Sequence, residues 1–95
     1  MIRPLILSFA LLSGPALAAS YRAELSAAPA QERFVARDNI WRCAGAACTS
    51  VNTSATRPAI SCAALARQSG ELRSFSVDGR AFSAEELENC NRRAR

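Results

Sequence analysis

Four cysteines follow a predicted export signal in a chain of 95 residues that contains no histidine. Thiols that leave the reducing cytoplasm are oxidised in pairs, and small exported domains use such crosslinks where their hydrophobic core is thin. The pattern therefore predicts a fold that is held together by disulfides outside the cytoplasm. The four residues are Cys43, Cys48, Cys62 and Cys90.

Residues 1–18 have the three parts of a secretory signal peptide. Arg3 gives a positive start, residues 5–12 are mostly apolar, and residues 16–18 form a cleavage site of the small-x-small type. The apolar stretch is shorter than the roughly 20 residues that a membrane-spanning helix needs. We predict cleavage near Ala18, a periplasmic location, and no membrane-spanning segment after cleavage.

Removal of residues 1–18 leaves 77 residues, which is enough for one small domain. Residues 19–32 are rich in small side chains and contain a proline, so we expect a flexible N-terminal arm there. A short strand is possible at residues 21–25. Residues 33–95 form the predicted single domain.

The sequence of the first part of this domain predicts a three-stranded antiparallel meander, because segments of β-forming side chains alternate with turn-prone residues. A reversal at residues 38–39 would pair Phe34 with Cys43. A second reversal, at residues 44–47, would then set Cys43 opposite Cys48.

Two helices and a hairpin follow the meander. Pro58 suits the first turn of a helix that ends at Gly70. The Asp-Gly pair at residues 78–79 predicts a tight hairpin, and Ser83 with Glu86 predicts a capping box at the start of the last helix. The predicted fold class is therefore α+β: a small disulfide-stapled domain in which an antiparallel β-meander and a β-hairpin pack with two short helices.

Four cysteines allow three disulfide pairings. Cys43 and Cys48 are neighbours across the second predicted turn, whereas Cys62 and Cys90 lie on the apolar faces of the two predicted helices. We favour Cys43 with Cys48, because cross-strand neighbours fit the Cα separation that a disulfide accepts. We favour Cys62 with Cys90, because a bridge between them would clamp both helices over the sheet. Sequence alone leaves the other two pairings open.

The residue types exclude most catalytic chemistry. Without histidine there is no base for a cysteine or serine nucleophile and no usual set of ligands for a metal hydrolase. The cysteine spacings match neither paired C-x2-C zinc ligands nor a C-x-x-C redox motif. Glutamates at 85, 86 and 88 suit the start of a helix. We predict no enzyme, no metal, no cofactor and no catalytic residue.

Every cationic side chain is arginine, and the cleaved chain carries eleven arginines against eight carboxylates. The charges are dispersed along the sequence, apart from a cluster at residues 92–95 that suits the end of a helix. We therefore predict no nucleic-acid partner. The expected partner is an unknown envelope protein or polymer, and we expect a monomer.

Several segments carry a family resemblance: FVARDNIWRC at residues 34–43, Cys48, RPAISCAALA at residues 57–66, SFS at residues 74–76 and ENCN at residues 88–91. Together they resemble a family of small exported four-cysteine proteins of alphaproteobacteria. That family is uncharacterised. The resemblance implies localisation in the bacterial envelope and the four-cysteine frame, and it assigns no catalytic or binding residue.

Three classes of function are compatible with these patterns. We expect a non-enzymatic binding or structural module of the cell envelope. One alternative is an inhibitor of an extracytoplasmic hydrolase, in which a tethered loop such as residues 44–47 would enter the enzyme's cleft. The other is an envelope redox or stress factor, which would need an exposed disulfide.

Overall fold

The computed structural model describes residues 18–94, so the predicted signal peptide lies outside the described residues except for Ala18. The strands are β1 (Ala19–Leu25), β2 (Arg33–Ala36), β3 (Asn39–Ala44), β4 (Ala47–Asn52), β5 (Leu72–Val77) and β6 (Arg80–Ala81). Helix α1 (Pro58–Ser69) connects β4 to β5, and α2 (Ala84–Asn91) follows β6 and continues into a short 3-10 helix (Arg92–Ala94). The strands form one antiparallel sheet in the order β2-β3-β4-β1-β5-β6. The predicted α+β class is confirmed.

Strand β1 lies in the interior of the sheet, between β4 and β5. Its buried side chains, Tyr21, Ala23 and Leu25, alternate with exposed ones. The possible strand at residues 21–25 is therefore present, but it starts at Ala19 and joins the meander to the hairpin instead of lying in a flexible arm. Its sequence pattern is weak because alanine, which is depleted in strands, occupies inward positions.

The meander is present, but its first turn lies one residue earlier than predicted. Strands β2 and β3 pair Phe34 with Trp41, and the reversal is at residues 37–38. The predicted pairing of Phe34 with Cys43 is therefore wrong. Asn39 begins β3 as a buried residue, because the backbone turns before it. The error amounts to two positions along β3, so Phe34, Trp41 and Cys43 still share one face.

The other local predictions are confirmed. Gly70, with a φ of 97°, ends α1, and both residues of the Asp-Gly turn at 78–79 have positive φ as a type I′ hairpin requires. Ser83 and Glu86 form the capping box of α2 through two reciprocal hydrogen bonds. Local side-chain chemistry therefore sets these element boundaries.

The core lies between the sheet and the two helices. Tyr21, Trp41 and Phe75 form an aromatic cluster with ring centroids 5.2–6.2 Å apart, and all three are at most 1% exposed. Both favoured disulfides border this core: Cys43–Cys48 joins β3 to β4, and Cys62–Cys90 joins α1 to α2. The predicted pairing is confirmed.

Candidate functional site

One face of the sheet is covered by the helices, whereas the opposite face is open to solvent. Buried and exposed side chains alternate strictly along β3 and β4, as expected for strands with one covered face. We call the uncovered surface the open face. It comprises Ser20, Arg22, Glu24, Arg33, Val35, Ile40, Arg42, Ala44, Ala47, Thr49, Val51, Ser74 and the half-buried Ser76.

Three arginines lie in one row across the open face. Arg33 of β2 is the register partner of Arg42 of β3. Arg42 is in turn opposite Thr49 of β4, and Thr49 is opposite Arg22 of β1. Since neighbouring strands are about 4.8 Å apart, this arginine row extends over roughly 14 Å. Ser76 of β5 continues it as a polar position.

In the part of the chain that the structure describes, no acidic side chain forms a salt bridge with the arginine row. Within residues 18–94 the one salt bridge joins Arg37 to Asp38, outside the open face. Glu24 shares the open face, but it lies opposite Ala47 and Ser74 in a different row. Like charges directly opposite each other on a sheet are unfavourable, so the pair of Arg33 and Arg42 has an electrostatic cost in the isolated protein. An anionic partner would remove that cost.

Exposed aliphatic side chains form a second row beside the arginines. Val35 pairs with Ile40, and Val51 lies opposite Ser20. Val35 and Val51 are each 58% exposed and Ile40 is 49% exposed, which makes them the most exposed large hydrophobic residues of the described chain. They lie two positions along their strands from the arginine row, at a distance of about 7 Å. We call them the aliphatic row.

A shallow depression of about 430 Å³ connects the two rows. Its lining includes Arg42 of the arginine row, its neighbour Thr49, and Ile40 and Val51 of the aliphatic row. The open face therefore presents positive charge and apolar surface side by side. Such a surface is suited to binding a partner that carries both negative charge and hydrocarbon.

The residues that the sequence singled out lie elsewhere. All four cysteines are at most 8% exposed and are paired in disulfides. The candidate inhibitory loop is a tight turn between β3 and β4, and the carbonyl of Ala46 accepts a 2.9 Å hydrogen bond from the Leu25 N–H. Among residues 18–94, no helix is long and apolar enough to cross a membrane.

The arginine row is not apparent in the sequence, because its members are far apart in the chain. Arg22, Arg33 and Arg42 lie on three different strands, and their charges look dispersed in the sequence. The pattern that could have identified them is the strand register. The predicted register of β2 and β3 differs from the observed one by two positions, and β1 was not predicted as an interior strand.

Comparison with known proteins gives a family and no activity. A family model described as a family of unknown function (DUF8200) matches residues 7–92, which is most of the chain. No curated protein and no solved structure matches the chain.

Proposed function

We propose that this chain, which belongs to that family of unknown function, is a non-enzymatic binding module of the bacterial cell envelope that attaches to anionic lipid membranes through its open face. The observation that carries the proposal is the arginine row, which forms no salt bridge among the described residues 18–94 and lies beside an exposed aliphatic row.

Export to the periplasm and an alphaproteobacterial source are parts of this proposal. Export is supported by the signal pattern of residues 1–18 and by two disulfides, since disulfides form and persist in oxidising compartments. The source is supported by the resemblance of the sequence to a family of exported proteins. In this setting the open face would meet anionic phospholipids at the surface of an envelope membrane.

Two contributions favour attachment to lipid. Each basic side chain near an anionic membrane contributes about 1 kcal/mol, so the arginine row contributes about 3 kcal/mol at low salt. The aliphatic row adds the transfer of half-exposed side chains, at about 1 kcal/mol each, if they enter the interfacial region. These magnitudes predict reversible attachment that weakens as ionic strength rises.

Other occupants of the open face are less well matched. A soluble polyanion would neutralise the arginines and leave Val35, Ile40 and Val51 in water. A second copy of the chain, packed face to face, would bring two positively charged surfaces together. Of these three occupants, only the membrane uses both rows.

The structure also bears on the two alternative functions. An inhibitor needs a projecting loop, whereas residues 44–47 form a tight turn that is hydrogen-bonded to β1. A redox factor needs an accessible disulfide, whereas the most exposed cysteine, Cys43, is only 8% exposed. Both observations favour the binding module.

Vesicle co-sedimentation tests the proposal. We expect the protein cleaved after Ala18 to sediment with vesicles that contain phosphatidylglycerol, to remain in solution with pure phosphatidylcholine, and to dissociate in 0.5 M salt, which reduces the screening length to about 4 Å. The triple variant Arg22→Gln/Arg33→Gln/Arg42→Gln should bind at least tenfold more weakly. A matched control is Arg57→Gln/Arg73→Gln/Arg80→Gln, which removes the same charge outside the open face.

Three outcomes would contradict the proposal. The first is equal weakening by the two triple variants, which would indicate an effect of net charge alone. The second is binding to heparin without binding to vesicles, which would assign the open face to a soluble polyanion. The third is unchanged vesicle binding by Ile40→Ser/Val51→Ser, which would show that the aliphatic row does not contact the membrane.

A further inference from the structure

A separate depression lies on the helical side of the molecule, between α1, α2 and the turn at residues 37–38. It has a volume of about 460 Å³ and is open to solvent on one side, and this volume is within the range of about 300–1,000 Å³ that is typical of small-molecule sites. We call it the helix groove. Its apolar lining is formed by Ala59, Ile60, Ala63, Ala64, Phe82 and Cys90.

The small side chains and the second disulfide give the groove its shape. Ala63 and Ala64 leave space on the surface of α1, and Ile60 beside them is 37% exposed. The Cys62–Cys90 disulfide links α1 to α2 at the groove, and the Cα atoms of these two cysteines are 5.8 Å apart. A crosslinked pair of helices has little freedom to close over the cavity, so the groove is preorganised for a ligand.

Positive charge surrounds the apolar lining. Arg37, Arg67 and Arg93 all line the groove, against a single carboxylate, Glu86. Glu86 is held by the capping box, where its Oε1 accepts a 2.8 Å hydrogen bond from the Ser83 N–H. Within residues 18–94, neither Arg67 nor Arg93 takes part in a salt bridge.

We propose that the helix groove binds an aliphatic carboxylate, such as a medium-chain fatty acid. The carboxylate pairs with Arg67 and Arg93, because guanidinium groups bind carboxylates in a bidentate geometry. The hydrocarbon chain lies on Ile60, Ala64 and Phe82. Asn89 is the one uncharged polar side chain among the lining residues, which disfavours a peptide, whose backbone would need several hydrogen-bond partners.

This site is independent of the proposed membrane attachment. None of the arginines that line the helix groove belongs to the arginine row of the open face. The two proposals therefore fail separately. Loss of vesicle binding in the Arg22→Gln/Arg33→Gln/Arg42→Gln variant should leave the affinity of the groove for its ligand unchanged.

A titration of the isotope-labelled protein with decanoate below its micellar concentration tests the inference by NMR. We expect saturable amide shifts at Ala63, Arg67 and Asn89, and no comparable shifts at Thr49 on the open face. Decanol, which has the same chain without the charge, should bind at least tenfold more weakly. Decyltrimethylammonium, which has the opposite charge, should not produce these shifts.

Two variants locate the ligand within the groove. Arg67→Gln/Arg93→Gln should weaken decanoate binding at least tenfold, whereas Arg73→Gln/Arg80→Gln, which removes the same charge elsewhere, should leave it unchanged. Ala64→Phe should block binding by filling the cavity. The two arginine pairs are exposed, so their comparison remains decisive even where the phenylalanine disturbs the packing of α1.

Three results would overturn the inference. One is the absence of saturable shifts up to millimolar decanoate. Another is equal affinity for decanoate and decanol, with no effect of the arginine substitutions, which would identify a non-selective apolar patch. The last is a set of shifts centred on the open face.

Discussion

Arg37 adopts a backbone conformation that glycine reaches more easily. It is the first residue of the turn between β2 and β3, and its φ is 58°. A positive φ at this position is a feature of primed hairpin turns, which prefer glycine, asparagine or aspartate. The left-handed conformation costs a residue with a Cβ atom roughly 1 kcal/mol. Arginine is not a residue type that indicates such a turn, so the sequence pattern predicts the turn one residue later than it lies.

We expect Arg37→Gly to raise the free energy of unfolding by about 0.5–1 kcal/mol, because glycine removes the steric cost of the positive φ. Urea unfolding at equilibrium measures the change. Arg37→Ala is the control, since it removes the same charge and the same exposed contact with Asp38 but keeps the Cβ atom. Equal effects of the glycine and the alanine would mean that charge, and not backbone geometry, accounts for the change.

Asn91 shows how one side chain can replace a strand partner. Its Oδ1 accepts a hydrogen bond from the Leu72 N–H at 2.8 Å, and its Nδ2 donates to the Leu72 carbonyl at 2.9 Å. The register of β1 and β5 shifts at this point. Asn91 therefore satisfies buried backbone groups at the irregular start of β5 and attaches α2 to the sheet.

At the scale of elements, the turns and helix ends that the sequence predicts correctly are those that neighbouring residues determine. The Asp-Gly turn, the capping box of α2 and the glycine at the end of α1 each depend on residues within a few positions of one another, and all three were predicted correctly. Strand β1 differs because its partners, residues 47–52 and 72–77, lie far along the chain. Short-range patterns contain no information about such partners.

The two disulfides should contribute unequally to stability. They close loops with sequence separations of 5 and 28 residues, and the chain-entropy model gives about 2 kcal/mol for the shorter and about 3.5 kcal/mol for the longer. We expect Cys62→Ala/Cys90→Ala to lower the free energy of unfolding more than Cys43→Ala/Cys48→Ala does. Urea unfolding of the two double variants provides the comparison.

The two pairs are matched controls for each other, because all four cysteines are buried and each double variant removes two sulfur atoms. A larger loss for Cys43→Ala/Cys48→Ala would show that local packing between β3 and β4 outweighs the crosslink between the helices. An unchanged stability of the Cys62→Ala/Cys90→Ala variant would contradict the view that this disulfide clamps the helices.

At the scale of the whole molecule, β1 connects the two halves of the fold. The meander β2-β3-β4 lies on one side of it and the hairpin β5-β6 on the other. The same strand brings Arg22 into the row with Arg33 and Arg42, so it also completes the candidate binding surface. The site was thus unpredictable for the same reason as the strand: both depend on pairing between distant segments.

A proline in β1 should therefore disrupt the entire sheet. Glu24 is suitable for this test because its side chain is exposed while its backbone pairs with Ala47 and Ser74 on both sides. Proline removes the N–H and does not fit an interior strand. We expect Glu24→Pro to lower the free energy of unfolding by at least about 3 kcal/mol. Trp41, which is fully buried in the native fold, should then become exposed at a lower urea concentration.

The control is Ala28→Pro, which places the same residue in the exposed segment between β1 and β2. There the backbone has no strand partner, and we expect a change within about 1 kcal/mol. Tryptophan fluorescence and far-UV circular dichroism in urea follow both variants. Similar midpoints for the two would mean that β1 is a peripheral arm, as its small-residue composition suggests. A lower midpoint for Glu24→Pro alone would show that the sheet is one cooperative unit, in which the open face forms only when β1 is in place.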